Sequence, residues 1–254
     1  MSFHESVSGG VAEVVLDFPP VNALPIQSWF DIAEILLRLG RDPAVTVVVL
    51  AAEGRGFCAG PDMKELAAGG REALVDLSRG CYAAFAAVFE CQVPVIAAVQ
   101  GFCVGGGIGL VGNADIIVAS DDAVFGLPEV DRGALGAATH LARLVPGHRM
   151  RSMFYTGANA TAQELKGYGS VLEVVSRDDL RECARRVATK IAEKHPTVIR
   201  RAKESVNGIE AVDPRRSYRF EQGFTFELNL SDVPDEARRA YVEKRKPDFE
   251  KKDG

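Results

Sequence analysis

Between Val93 and Val111 the chain reads VPVIAAVQGFCVGGGIGLV, and Gln100 is its one strongly polar residue. Such a run must leave water. A membrane span is a poor reading, because the run holds five glycines and a proline, Pro94. A buried strand, a glycine turn and a buried helix fit better. A strand apolar on both sides needs cover on both faces, as in a largely parallel sheet.

The neighbouring sequence supports that class. VVLDF ends a loosely alternating strand at Phe18, and Ser28 to Leu39 has the spacing of an amphipathic helix. VTVVVLAAE (Val45 to Glu53) is a second buried strand, and ADIIVASDD (Ala114 to Asp122) a third. Between them REALVDLSRGCYAAFAAVFEC predicts one long helix. Strands alternating with helices imply crossover units. The register changes after about Asp121. GALGAATHLARLVP, GHRMRSMFYTG and TAQELKGYG predict short helices, followed by one brief strand, VLEVV. From Asp178 onward the pattern is helical: Asp178 to Lys194, Pro196 to Ile209, Pro214 to Leu228 and Pro234 to Lys244. The chain therefore divides into an α/β core over residues 1–195 and a helical region over 196–254. EKRKPDFEKKDG at the end reads as a solvated, charged tail.

Charge and cysteine usage narrow the partners. With 30 Lys+Arg against 35 Asp+Glu the formal charge is −5, and no basic run reverses it, which argues against nucleic acid. MSFHESVSGG lacks the apolar stretch of a signal peptide. The five cysteines, Cys58, Cys81, Cys91, Cys103 and Cys183, form no CxxC pair, so reduced thiols in a cytoplasmic protein are expected. The four histidines are scattered singly, and no metal site is expected.

Three stretches can carry chemistry. GFCAGPDMKEL (Gly56 to Leu66) has the look of a strand end, a tight turn and a helix start. GFCVGGGIGLVG (Gly101 to Gly112) leads from a strand through glycines to a helix N-terminus, where backbone N–H groups favour negative charge. FGLPEVDRG (Phe125 to Gly133) sets Glu129 and Asp131 beside apolar sequence. Gly107 to Gly112 also matches GxGxxG. Only Asn113 separates the last glycine from Ala114, however, and a crossover helix needs about ten residues. A dinucleotide site is rejected on that spacing.

Taken together, PPVNAL, GRGFCAGPDMKEL, PVIAAVQGFCVGGGIGLVGNADIIVAS, FGLPEV and YVEKRKPDF resemble the enoyl-CoA hydratase/isomerase, or crotonase, family over nearly the whole chain. The resemblance implies a spiral of ββα units with a helical C-terminal trimerisation region, assembled as a homotrimer or a dimer of trimers. It implies an acyl-CoA thioester substrate, with coenzyme A part of the substrate and no separate cofactor. It implies two backbone N–H groups that hold the thioester oxygen as an enolate. Carried onto this sequence, one donor is Gly106. Cys58, Ala59, Gly60, Pro61, Asp62, Met63 and Lys64, with Gly105, Gly109 and His140, are expected to contact substrate.

Two positions depart from the family pattern. The second oxyanion donor falls at Pro61, which has no N–H. Proline suits the first position of a helix, yet losing one such donor can cost about 10²–10³ in rate. Asp62 N–H or a water is the expected replacement. Of the two water-steering glutamates, one position is Gly109 and the other is Glu129. Glu129 is the expected acid/base. Asp131 reads either as a further catalytic acid or as the salt-bridge partner of Arg132 or another base. His140 reads first as a satisfied core histidine, and Cys58 and Cys103 as small apolar fillers.

A narrower resemblance is to an actinobacterial subgroup in steroid catabolism. Its members open a ring hydrolytically in a bicyclic diketone carried on coenzyme A. Gly109 would leave room for a bulky ring system, and a delocalised leaving carbanion would make Pro61 tolerable. An ordinary enoyl-CoA hydratase or isomerase and a weakly catalytic acyl-CoA-binding protein are the alternatives.

Overall fold

The computed structural model describes residues 2–230, 233–243 and 245–248. Along the chain run β1 (Ser2–Ser8), β2 (Val11–Asp17), β3 (Ala23–Leu24), α1 (Ile26–Arg41), β4 (Val47–Ala52), β5 (Gly60–Pro61) and α2 (Met63–Glu90). Next come β6 (Val95–Val99), β7 (Phe102–Val104), α3 (Gly106–Val111), β8 (Ile116–Ser120), β9 (Val124–Gly126) and a 3₁₀ helix (Pro128–Arg132). Then follow α4 (Ala138–Leu141), α5 (Gly147–Thr156), β10 (Asn159–Thr161), α6 (Ala162–Tyr168), β11 (Glu173–Val175) and α7 (Leu180–Ala192). The described chain closes with α8 (Pro196–Ile209), α9 (Pro214–Asn229) and α10 (Val233–Val242).

Among the described residues six strands form the main sheet in the order β1-β2-β4-β6-β8-β11. Only the β1–β2 pair in it is antiparallel. The continuous apolar runs explain its depth. In β4, Val48, Leu50 and Ala52 enter the core under α1, α2 and α3, while Val47, Val49 and Ala51 face a second cluster closed by α7. β6 divides in the same way, with Val95, Ala97 and Val99 on one face and Ile96 and Ala98 on the other. Alternation across a pleat buries both faces of one strand.

Each repeat adds a long strand to this sheet, a short strand to a smaller one and a helix: β4-β5-α2, then β6-β7-α3. The short strands pair as β3-β5 and β10-β9-β7. This is the expected ββα spiral. β1, β3, β5, β7, β9 and β10 are additions to the sequence reading. Most are two or three residues long and carry no period of their own. β1 is a mostly exposed, polar strand returned by Gly9 and Gly10, both at positive φ.

GALGAATHLARLVP is mostly loop, with helix only over Ala138–Leu141. The long helix starts earlier than predicted, at Met63, and is broken at Gly70, whose φ of 61° is not helical. Lys203 of α8 is buried and holds the Asp115 carboxylate at 2.7 Å. α9 buries Tyr218 and Gln222 against the core. Of the predicted tail, Lys244 and residues 249–254 lie outside the described residues. None of the helices among the described residues is long and apolar enough to cross a membrane.

Candidate active site

A cavity of about 150 Å³ opens where the short strands meet α2 and α9. Its wall is largely apolar: Met63, Leu66, Leu77 and Phe85 from α2 and Tyr218 from α9. Ala59 and Pro61 border one side, Gly105 and Gly106 the floor, and Glu129 and Arg132 the other side.

The floor needs its glycines. Gly105 has φ 58°, and a side-chain carbon there would meet Glu129 Oε1 at 2.7 Å. A carbon on Gly106 would meet Trp29 Cη2 at 2.5 Å. Both are too close for real atoms, so backbone alone can face the cavity here. Gly105 N–H donates to Gly126 O at 3.2 Å and Ile108 N–H to Gly105 O at 2.9 Å. Gly106 N–H is the first of α3, and no acceptor for it is found among the described residues. It is a backbone donor on the cavity floor. The GxGxxG string runs through α3 and off its end at Gly112, so it opens no crossover helix.

Glu129 is held opposite by the 3₁₀ helix, with Pro128 at its start. Its Oε2 is out of water and has no hydrogen-bond partner. Burial raises its pKa to about 7, a backbone hydrogen bond and Arg132 pull the other way, and Glu221 adds to the rise. A carboxyl poised there can take a proton and return it near neutral pH.

Asp131 does not join it. Its carboxylate lies beside Gly157, where a side-chain carbon would meet Oδ2 at 2.6 Å. Neighbouring positions on a helix point to different sides, and Asp131 is absent from the cavity wall.

Pro61 is not the first residue of a helix. It sits in β5, paired with Leu24, and Asp62 is the N-cap, its carboxylate accepting from Lys64 N at 2.8 Å and Glu65 N at 3.4 Å. Asp62 N–H is already used, donating to Leu24 O at 2.9 Å. The expected substitute donor is therefore committed to the β3–β5 pair. Successive amide nitrogens of an extended strand point to opposite sides, so the residue-61 nitrogen faces away from β3. An N–H at that position would face out of the pair, and proline removes it.

Gly109 brings a second correction. It leaves no room, because the Phe85 ring fills the space a side chain there would need. Phe85 is packed edge-on against Trp29 and His140, with centroids 5.7 Å and 4.9 Å away. His140 is behind this ring and does not line the cavity. Its Nδ1 is 2.9 Å from Asn113 Nδ2, which also donates to Gly109 O at 2.7 Å, and its Nε2 is buried without a partner. Burial, then Arg143, lowers its pKa to about 3, so it is a neutral core histidine.

Of the remaining positions, Ala59 and Met63 line the cavity, while Cys58, Gly60 and Lys64 do not. Cys58 Sγ accepts from Gly60 N at 3.3 Å, and burial pushes its thiol up to about 12, so it is an inert filler. Lys64 is exposed on the first turn of α2. Sequence reasoning missed Phe85, Tyr218 and Glu221. Glu221 reaches from α9 to accept from Ala138 N at 2.8 Å and Thr139 N at 2.9 Å, fixing the loop that borders the cavity. No local signal marks these three, since each acts across a long sequence separation.

Residues 6–252 match the enoyl-CoA hydratase/isomerase family. The chain is 64% identical to the (7aS)-7a-methyl-1,5-dioxo-2,3,5,6,7,7a-hexahydro-1H-indene-carboxyl-CoA hydrolase of Rhodococcus jostii, over 94% of this chain and 93% of that protein. It is 60% identical to the hydrolase of the same name from Mycobacterium tuberculosis, over 92% and 96%. The crystal structure of an enoyl-CoA hydratase/isomerase from Xanthobacter autotrophicus superposes with a TM-score of 0.87 at 25% identity, over 95% of this chain and 91% of that one.

Proposed function

The chain belongs to the enoyl-CoA hydratase/isomerase family, and from that premise we propose that it hydrolyses a carbon–carbon bond in a bicyclic, steroid-derived diketone carried as a coenzyme A thioester. The observation that carries the reading is the cavity's single poised carboxylate. Glu129 lines it, and Phe85 stands where a second acid would have to project from residue 109. Two relatives named as hydrolases of such a diketone, at 64% and 60% identity, support it.

The chemistry follows from the residues. Glu129 takes a proton from water, and the oxygen adds to a ring ketone carbon. The ring bond beside that carbon breaks, and its electron pair moves into conjugation with a carbonyl. Glu129 then returns the proton to carbon. Substrate plus water gives a ring-opened carboxylic acid, with nothing oxidised or reduced. Gly106 N–H favours the charge that spreads to the thioester oxygen. Because the leaving carbanion is delocalised, the reaction tolerates Pro61, whereas a simple enolate would demand both donors. Hydration of a double bond, with two carboxylates steering water, is the reaction this cavity is least equipped for.

Incubation with the bicyclic diketone thioester and with crotonyl-CoA tests the reading. Mass spectrometry is expected to show addition of one water, with a new acid group, on the diketone alone. Turnover of crotonyl-CoA alone would overturn it.

No separate cofactor is required by this chemistry, and coenzyme A enters and leaves with the substrate. The region after residue 195 is proposed to build a homotrimer or a dimer of trimers around the 1–195 core. Exposed Phe220, Phe224 and Leu230 on and after α9 support this, as do Val206 and Ile209 on α8. The same α9 lines its own cavity through Tyr218, so assembly and the acyl site share one helix. A cytoplasmic location fits five free cysteines, all buried. Light scattering at micromolar concentration is expected to give a trimer or hexamer, and a monomer would rule the assembly out.

A further inference from the structure

Arg132 is the one cationic side chain on the cavity wall among the described residues, and Glu129 the one anionic. Both come from the 3₁₀ helix Pro128–Arg132. A 3₁₀ helix has three residues per turn, so residues three apart lie one above the other. Glu129 and Arg132 therefore share a face, with their backbones separated by roughly 6 Å along the axis. Most of the rest of the wall is apolar, and a cation beside apolar side chains acts more strongly on an anion than it would in water.

We propose that Arg132 holds the carboxylate created by ring opening, and so selects acyl groups that carry or develop negative charge beyond Glu129. This rests on the ring-opening reading above. As water adds to the ring ketone carbon, its carbonyl oxygen gains the electron pair and becomes an alkoxide. When the ring bond breaks, the alkoxide pair re-forms a carbonyl and the bond pair leaves with the carbanion; the new carboxyl group then releases its proton to water and carries one full negative charge. Thioester charge is met at Gly106; the new charge forms at a different carbonyl of the reacting system, and Arg132 is the cation that the described lining offers it. A guanidinium matches a carboxylate with two parallel N–H donors, and its five donors allow a protein contact to persist alongside.

Binding and turnover are read separately. Calorimetry compares glutaryl-CoA, which ends in a carboxylate, with pentanoyl-CoA, which is neutral and of the same chain length. The parent protein is expected to prefer glutaryl-CoA by about 10- to 100-fold. Arg132→Gln should abolish the preference, and Arg132→Lys should keep part of it. On the diketone thioester, Arg132→Gln should lower kcat by roughly 10²-fold or more with a smaller change in KM. Melting curves identify any variant that fails to fold, and Arg132→Met, which keeps the stem's packing without the charge, then replaces it. An unchanged preference and unchanged kcat in the charge-free variants overturn the proposal. If the parent protein leaves the diketone thioester intact but shows an Arg132-dependent preference for glutaryl-CoA, the ring-opening reading fails and the anion site stands.

Discussion

Phe85 occupies the place of a side chain on Gly109: a carbon added there would fall inside the Phe85 ring's contact distance at three ring atoms. The glycine and the phenylalanine are one feature. Glycine lets α3 lie against the ring, and the ring closes the wall of the cavity.

Gly109→Glu alone should therefore fold poorly. Overpacking a closed core costs about 1–3 kcal/mol, and a carboxylate forced into it costs more. Phe85→Ala alone should cost about 3–5 kcal/mol through the cavity it leaves. The double variant is expected to melt above Gly109→Glu, because each change supplies what the other lacks. Thermal melts of the three variants check this. A Gly109→Glu melt equal to the parent would show that Phe85 moves freely.

Glu129→Gln keeps size and loses the base. Turnover of the diketone thioester should fall by roughly 10²-fold or more with thioester binding retained. In the parent, rate should rise with pH through about 7 as the carboxyl ionises. Unchanged turnover would move the proton transfer elsewhere.

The same group predicts a stability effect. The folded pKa of Glu129 is about 7 against an ordinary 4.5, so the folded state holds its proton longer than the unfolded state. Stability is then greatest below about 4.5 and falls as pH rises to about 7, by roughly 1.4 kcal/mol per unit at most. Glu129→Gln lacks this loss. Its melting temperature, relative to the parent, should climb between pH 5 and pH 8. A gap independent of pH would mean that the carboxyl is solvated.

Pro61→Ala introduces an N–H facing away from β3. Asp62 N–H stays with Leu24 O, so the β3–β5 pair should survive. For a simple enolate the new donor should raise activity. For ring opening, with its delocalised carbanion, the gain should be small. The readout is turnover of both substrate types against the parent. A large drop on either would show that the proline ring itself shapes the cavity.

His140 is held near pKa 3 by burial, while its unfolded value is about 6.5. Between those values the unfolded state binds the extra proton, so stability should fall as pH drops below about 6.5. His140→Gln should remove roughly 1.4 kcal/mol per pH unit of that acid sensitivity. Urea midpoints at pH 7 and pH 5 measure it. Equal pH sensitivity in both proteins would contradict a neutral, buried imidazole.

What could be read from residue order alone was what neighbouring residues decide together. The apolar runs of β4 and β6 declared a sheet buried on both faces, because a strand has no other way to hide every side chain. The glycines at 105 and 106 declared a close backbone approach, and Glu129 stood after Pro128 beside apolar sequence. β3, β5, β7, β9 and β10 escaped because two or three residues have no period, and β1 because its polar, exposed residues show no buried face. The local preference of Pro61 is for a helix start, but pairing with Leu24 places it in a strand and makes Asp62 the cap. Gly109 by itself implies empty space, since a missing side chain looks like room until its neighbour is known. Only the close packing of α2 on α3 decided that Phe85 fills it. Likewise only the three-residue turn of the 3₁₀ helix set Arg132 with Glu129 and turned Asp131 aside. Local spacing and composition govern which elements form; what each cavity admits depends on contacts between residues that only the folded chain brings together.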